Sequence, residues 1–301
     1  MPTGFAQAEL IAVLVAVTTG QPRVMTIERG GGLPSGNLES SHHSLQAGLR
    51  SWVEDQTHHP VGYLEQLYTF ADRGRGMDAG IGARRISISY LGLVQEQSVA
   101  GADQSEWHGW YEYFPWEDHR EGRPDMLGQI TRHLHDWAEG GGASRAERLR
   151  RASFAFDLDG RGWNEDLVLQ RYELMYEARL VDEAGSLQGP GFGRPMMADH
   201  RRILATGIAR LRAKIKYQPV MFELVPDSFT LLQLQQTAEA LSGLRLHKPN
   251  FRRQIDQHAL IEETGEIAQE TRGRPAKLFR YRRAVLEARA LAGSRLPLSR
   301  D

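Results

Sequence analysis

Cysteine is absent from the 301 residues, which excludes disulfide bonds and thiolate metal sites and suits a reducing compartment. Nor is there an apolar run of the roughly 20 residues that a membrane-spanning helix needs. The most apolar stretch near the start runs only from Leu10 to Val17. Met1 to Glu9 carries neither Lys nor Arg, so that stretch lacks the basic flank of a signal peptide. A cytoplasmic location and no membrane partner are expected. No P-loop, dinucleotide-binding glycine fingerprint or nucleophile elbow occurs, and no internal repeat. The pairs His42-His43 and His58-His59, and the HxH of His133 and His135, have no third ligand nearby. They read as surface residues, and no metal site is expected.

What is present describes an ordinary soluble chain with uneven charge. Hydrophobic residues make up 41% and charged residues 25%, enough to bury a core in two domains. The net charge of −1 divides sharply along the chain. Residues 201–301 hold 19 Lys+Arg against 10 Asp+Glu, whereas residues 1–200 hold 18 against 28. A basic part beside an acidic part suggests that the basic part meets a polyanion. Two domains that merely attract each other are the alternative from charge alone.

Leu10 to Thr18 is apolar and rich in β-formers, Gly20-Gln-Pro22 supplies a turn, and Arg23 to Glu28 forms a second extended piece. Glycines at 30, 31, 32 and 36 predict a loop, and Leu45 to Asp55 a helix. Arg85 to Val94 predicts a central strand, because it is apolar on both faces. Residues 97–163 show little regularity and many tryptophans, with Gly140-Gly141-Gly142 as a loop. Trp107, Trp110, Tyr111, Tyr113, Phe114 and Trp116 read as core or lid packing, with nucleobase stacking as the alternative. Trp163 to Glu183 and Ile203 to Ile215 predict two helices, the second with Leu204, Ile208, Leu211 and Ile215 in one stripe. The Gly- and Pro-rich residues 185–195 between them predict turns. The composition shift, with Pro219 and Pro226, places a domain boundary near 217–229.

Beyond that boundary the pattern sharpens. Thr230 can cap a helix whose Leu231, Leu234, Ala238 and Leu241 share a face, and Gly243 ends it. Pro249 suits the first turn of a second helix, which packs inward through Phe251 and Ile255. The opposite face then carries Asn250, Arg253, Gln254 and Gln257, with Arg252 alongside. Such a helix can enter a major groove, where Arg reads guanine and Asn or Gln reads adenine through paired hydrogen bonds. Leu260 to Thr264 and Lys277 to Arg282 predict two strands joined by a basic tip, Arg272-Gly-Arg274, able to serve as a wing on the backbone or minor groove. Residues 245–283 hold ten Lys+Arg and five acids. A small helical domain with a solvated basic face is the bland alternative, but three coincident features favour binding to double-stranded DNA.

The stretch GNLESSHHSLQAGLRSWVEDQT, residues 36–57, keeps the spacing of a phosphate-cleaving helix, G-x5-E-x7-R-E-U-x-E-E-x-G, from Gly36 through Arg50 to Glu54 and Asp55. His42 and Ser51 stand where two glutamates belong, and Thr57 where the closing glycine belongs. In the full pattern, carboxylates at i, i+3 and i+4 share a helix face and hold Mg²⁺ ions against a diphosphate. Ser51 supplies no charge, Asp55 reaches less far than Glu, and His42 is a poor ligand for a hard cation. Glu54 and Asp55 remain, so a strong two-metal cage is not expected. Solvated helix acids, with Arg50 pairing locally, are the alternative reading. Gly48 inside the helix costs about 1 kcal/mol relative to Ala.

The stretches PDSFTLLQLQQTAEALSG, NFRRQI, LIEETGE and GRPAKLFRY resemble the C-terminal winged helix of the Nudix-related transcriptional regulators of NAD metabolism, nearest to the NadQ type. Residues 199–231 resemble the last Nudix-domain helix and linker of that family, and the altered box at 36–57 fits regulators that have lost catalytic residues. The resemblance implies an α+β chain. Residues 1–217 would form a Nudix-like α/β/α sandwich with an enlarged 97–198 region, and residues 218–301 a winged helix-turn-helix domain. It implies a homodimeric repressor, nucleoid-associated, on a palindromic operator near NAD-biosynthesis genes. Lys248, Asn250, Arg252, Arg253, Gln254, Arg272, Arg274 and Lys277 would contact DNA, and Phe251 also falls on the family's recognition helix. Pro249 departs from the basic residue common at its position. Arg50, Glu54 and Asp55 would mark the pocket for a nucleotide effector such as ADP-ribose, NAD or ATP. No catalytic residue, metal or required cofactor is expected. The alternative is a working hydrolase of ADP-ribose-like nucleoside diphosphates with an appended DNA-binding domain.

Overall fold

A computed structural model describes residues 7–71, 85–96, 105–185, 191–216, 219–268 and 275–282. Strand β1 (Gln7–Thr18) is apolar on both faces, and its alternation sorts two cores. Leu10, Ala12 and Leu14 join one with Met25 and Tyr90, while Ile11, Val13 and Val15 join the other. Thr19 (φ 51°) and Gly20 (φ 73°) are both left-handed, the backbone of a tight two-residue hairpin. The turn therefore precedes the one expected at Gly20–Pro22, and Gln21 and Pro22 already belong to β2 (Gln21–Ile27). A short β3 (Ser35–Asn37) returns to pair with β1.

Helix α1 (Leu45–Thr57) begins where the Ser44 side chain accepts from the Ala47 N–H at 3.1 Å. It buries Leu49 and Val53 on the first core and stops at His58, whose φ of 55° is left-handed. Strands β4 (Tyr63–Phe70), β5 (Arg85–Leu93) and β6 (Ser105–Gly109) complete a sheet of order β4-β5-β1-β2-β6. The strand expected as central, β5, lies inside the sheet, parallel to β1 and antiparallel to β4. Ser87 and Ser89 are buried in it along with Tyr90, Leu91 and Leu93, as expected for a strand with a parallel neighbour and two covered faces.

The region expected to be irregular is largely helical. After a short α2 (Trp110–Tyr113) come α3 (Met126–Glu139) and α4 (Arg145–Phe156), with the triple glycine forming the turn between them. In α3 the inward set Leu127, Ile130, Leu134 and Ala138 has helical spacing, whereas α4 buries only Ala152, Ala155 and Phe156, a faint pattern in an arginine-rich stretch. The helix expected over Trp163–Glu183 is shorter, α5 (Val168–Glu177). Asn164 caps a tight turn at Glu165–Leu167 before it, and Arg179 turns left-handed just beyond it. Trp110, Tyr113, Phe114 and Trp116 are fully buried, and Trp107 and Tyr111 pack partly buried against the two cores, as the packing reading expects.

Helix α6 (His200–Ile215) presses on β1 through Gly207, where a Cβ would meet the Val13 side chain at 2.9 Å. Its stripe of Leu204, Ile208 and Leu211 is buried as expected. Helices on both faces make an α/β/α sandwich. A 3-10 stretch, Pro219–Leu224, leads on to α7 (Leu231–Ser242) and α8 (Lys248–Gln257). Thr230 and Gln233 cap α7 reciprocally, and Gly243 (φ 73°) closes it. Strands β7 (Ile261–Ile267) and β8 (Lys277–Tyr281) form an antiparallel hairpin, bridged to Phe229 through Phe279. The apolar core runs on from the sandwich into this second unit through Phe229, Leu234, Leu241, Phe251 and Ile255.

Candidate nucleic-acid interface and the altered box helix

Helix α8 is held by two side chains, Phe251 and Ile255, at 8% and 7% exposure. At 3.6 residues per turn, Arg253 lies roughly 200° round the axis from Phe251, pointing straight out. Lys248, Asn250, Arg252 and Gln257 are exposed with it. Lys248, Pro249, Arg252, Arg253, Asp256 and Gln257 line one open depression along the helix. Asp256 sets an acid between the two arginines, a position from which a carboxylate can accept from a cytosine amino group.

Gln254 does not share that face. It lies roughly 60° from Phe251 round the helix and lines a cavity of about 410 Å³ with Ile215, Phe222, Phe251, Ile255 and His258. It is exposed at the rim of the junction between the two units.

The hairpin is less basic than its sequence suggests. Lys277 donates to both carboxylate oxygens of Glu263 at 2.9 Å, and Arg280 to Glu262 at 2.8 Å. These exposed pairs contribute little to stability, but each must loosen before its cation can face a phosphate. Arg272 and Arg274 lie outside the described residues.

The box residues come together in a different way. Gly36 meets α1 because the indole of Trp52 occupies the space a Cβ would take, and Trp52 Nε1 donates to the Asn37 carbonyl at 3.0 Å. The His42 imidazole lies where a Cβ on Gly48 would come within 2.5 Å of Nδ1, and that nitrogen accepts from the Glu39 N–H at 3.1 Å. Gly48 is therefore a packing contact, which explains a glycine inside the helix. Thr57 is buried, its hydroxyl donating to the Val53 carbonyl at 2.7 Å. Arg50 does not pair with its helix neighbours, as the alternative reading had it; it donates to the carbonyls of Val61 and Gly62. Glu54, Asp55 and Ser51 stand exposed on α1.

This donor set does not fit the two Mg²⁺ ions of the intact pattern. Two carboxylates remain, the serine is neutral, and the His42 ring nitrogen nearest the helix is already an acceptor. Among the described residues, no group of three His, Asp or Glu side chains could hold a metal ion, and no helix is long and apolar enough to cross a membrane.

Residues 221–281 match the family model of the NrtR DNA-binding winged helix domain. A curated relative, the ADPR responsive transcriptional repressor NtrR of Acinetobacter baylyi, is 36% identical over 83 residues, 28% of this chain and 33% of that protein. The chain thus spans about a third of the length of the curated relative it matches. The fold is similar to that of Shewanella oneidensis NrtR crystallised with a 27mer DNA, with a TM-score of 0.56 and 20% identity over 93% of this chain and 95% of that one. It is also similar to a MutT/nudix family protein from Enterococcus faecalis, with a TM-score of 0.54 and 16% identity over 92% and 86% of the two chains. The expected architecture, a Nudix-like sandwich followed by a winged helix, is the observed one. The expected likeness to Nudix-related transcriptional regulators is met by similarity to NrtR, in fold along nearly the whole chain and in sequence at the C-terminal unit.

Proposed function

We propose that this protein is a ligand-responsive DNA-binding regulator, a repressor of NAD-biosynthesis genes, and not an enzyme. One observation carries the proposal. In a segment that matches an NrtR DNA-binding winged helix, α8 turns Lys248, Asn250, Arg252, Arg253 and Gln257 to solvent while Phe251 and Ile255 anchor it. Arg253 and Asn250 would read base edges and Lys248 and Arg252 would meet phosphates, with Lys277, Arg272 and Arg274 on the wing. A two-fold homodimer would place two such helices in successive major grooves of a palindromic operator.

The sandwich would act as the sensor. The curated relative is named as responsive to ADPR, so a nucleotide such as ADP-ribose is the first effector to test, followed by NAD and ATP. Arg50, Glu54 and Asp55 mark the candidate pocket on α1. A ligand that binds better to the arrangement unable to grip DNA would release the operator by population shift. The loss of charge at Ser51 and the packed His42 support a sensor without catalysis, needing no cofactor.

The deciding experiment is a mobility-shift titration on the DNA upstream of the protein's own gene, at two salt concentrations, with and without ADP-ribose, NAD and ATP. Sequence-specific binding that weakens steeply with salt and responds to one nucleotide is expected. Equal affinity for unrelated DNA would reject the proposal. Glu54 and Asp55, both exposed, favour the second reading, a residual diphosphate hydrolase. Turnover of ADP-ribose with Mg²⁺ that Glu54→Gln abolishes would establish it.

A further inference from the structure

Three charged side chains are sealed inside the molecule where its two units meet. Glu117, in the tight turn after α2, is 1% exposed, and Arg171 of α5 and Arg212 of α6 are at 0%. Arg171 grips both oxygens of the carboxylate, Nε to Oε1 at 2.5 Å and Nη2 to Oε2 at 2.8 Å, and Arg212 Nη1 donates to Oε2 at 2.7 Å. One carboxylate between two guanidiniums leaves a buried excess of positive charge. Such a cluster persists only if the other N–H groups are satisfied.

Every nitrogen of both guanidiniums has an acceptor, and the carbonyls among these acceptors come from both units. Arg171 Nη1 donates to Ala155 and Asn164 at 3.0 Å, and its guanidinium lies 3.9 Å from the Trp163 ring centroid. Arg212 Nη1 donates to the Glu165 carbonyl and Nε to the Leu241 carbonyl, each at 2.9 Å, and Nη2 reaches the Tyr111 hydroxyl at 3.3 Å. Leu241 lies in the last turn of α7, where carbonyls have no partner within the helix. Two further donors from the sandwich serve the same end. Tyr111 Oη donates to Ala240 and the His119 N–H to Gly243, each at 2.8 Å. Gly243 packs so closely that a Cβ would strike the Glu117 carbonyl and lie 3.0 Å from Arg212 Nη2. Burial alone would raise the Glu117 carboxyl, but the two arginines hold it below its ordinary range.

The electrostatics and the geometry agree. The negative end of the α7 dipole faces the cluster's excess cation, and α8 begins just past the short turn that follows α7. We propose that Arg212, fixed by Glu117 and Arg171, is a positioning residue that locks the C-terminal end of α7 to the sandwich and so sets the orientation of α8. Its functional consequence rests on the reading of α8 as the DNA-contacting helix; its structural consequence does not.

The cysteine-free chain allows a direct test. Spin labels on cysteines introduced at exposed Gln129 of α3 and Gln257 of α8 report the distance between the units by double electron–electron resonance. Arg212→Lys keeps a cation near Glu117 but cannot also serve the Leu241 and Glu165 carbonyls. Tyr111→Phe removes one hydroxyl and is the milder variant if the first fails to fold. Against a narrow parent distribution, a broadened or displaced one is expected in either variant, with thermal unfolding still cooperative. In the unlabelled full-length variants, operator affinity is expected to fall about tenfold with an unchanged slope against log salt, because no phosphate contact is removed. Distributions identical to the parent in the variants that fold would overturn the proposal. Parent protein that ignores its operator, together with variants that show the distance change, would reject the DNA-binding reading and leave the joint standing.

Discussion

The indole of Trp52 lies over the α-carbon of Gly36, filling the space that any side chain at position 36 would need. The His42 ring stands edge-on to it at 6.4 Å and rests in turn on Gly48. Where the intact box would gather carboxylates around metal ions, this chain fastens its glycine loop to α1 with two rings. The glycine at the opening position of the motif serves close packing.

Gly36→Ala tests that relationship. The added methyl overlaps the indole, and overpacking of this kind costs about 1–3 kcal/mol. A drop of several degrees in the unfolding midpoint is expected, partly restored by a second change, Trp52→Leu. An unchanged midpoint in the single variant would mean that Trp52 has room to swing away.

Removing charge at the exposed acids should separate sensing from folding. Glu54→Gln combined with Asp55→Asn touches no buried contact, so stability should move by no more than about 0.5 kcal/mol. Operator affinity without nucleotide should be unaltered, while the nucleotide concentration needed to change it should shift several-fold. A nucleotide response identical to the parent's would remove α1 from the effector pocket.

On α8, two adjacent residues should behave oppositely. Arg253 points away from the core, and Arg253→Ala should cost about 1–3 kcal/mol of operator binding and relax preference at one base pair. Gln254 sits at the rim of the junction cavity, so Gln254→Ala should leave base preference intact. Competition binding against single-base operator variants distinguishes the two. A loss of specificity at Gln254 and none at Arg253 would mean that α8 meets DNA along a different face.

His200 predicts an acid sensitivity. Its Nδ1 accepts the Leu33 N–H at 2.9 Å, tying the glycine-rich loop to α6. Burial, with a smaller contribution from Arg85, pushes its pKa down to about 4. The folded form therefore resists a proton that the unfolded chain binds near pH 6.5. This stability is fully present above the unfolded value and is lost as pH falls through the folded one, by about 3 kcal/mol at the limit. The unfolding midpoint should drop between pH 7 and pH 4.5, less so in His200→Asn, whose amide oxygen can replace the acceptor. Parallel pH profiles for the two proteins would show that His200 is not the group responsible.

Local chemistry was legible wherever a residue's role depends on its near neighbours. Thr230 and Gly243 bound α7 because caps act within one turn, Pro249 opens α8 because its missing N–H lies where none is needed, and β1 declared burial on both faces by its unbroken apolar run. Likewise, the absence of charge at position 51 followed from residue identity alone. Tertiary structure decided what depends on distant partners. Arg50 was free to pair along its own helix, but it turned to the carbonyls of Val61 and Gly62. Lys277 looked like a wing cation until the hairpin brought Glu263, on the facing strand, within reach of it. Glu117 stands 54 residues from Arg171 and 95 from Arg212, and no periodicity could join them. Short-range order is written in caps and spacing because its energies are local, whereas a buried charge finds its partners only when the chain has folded around it.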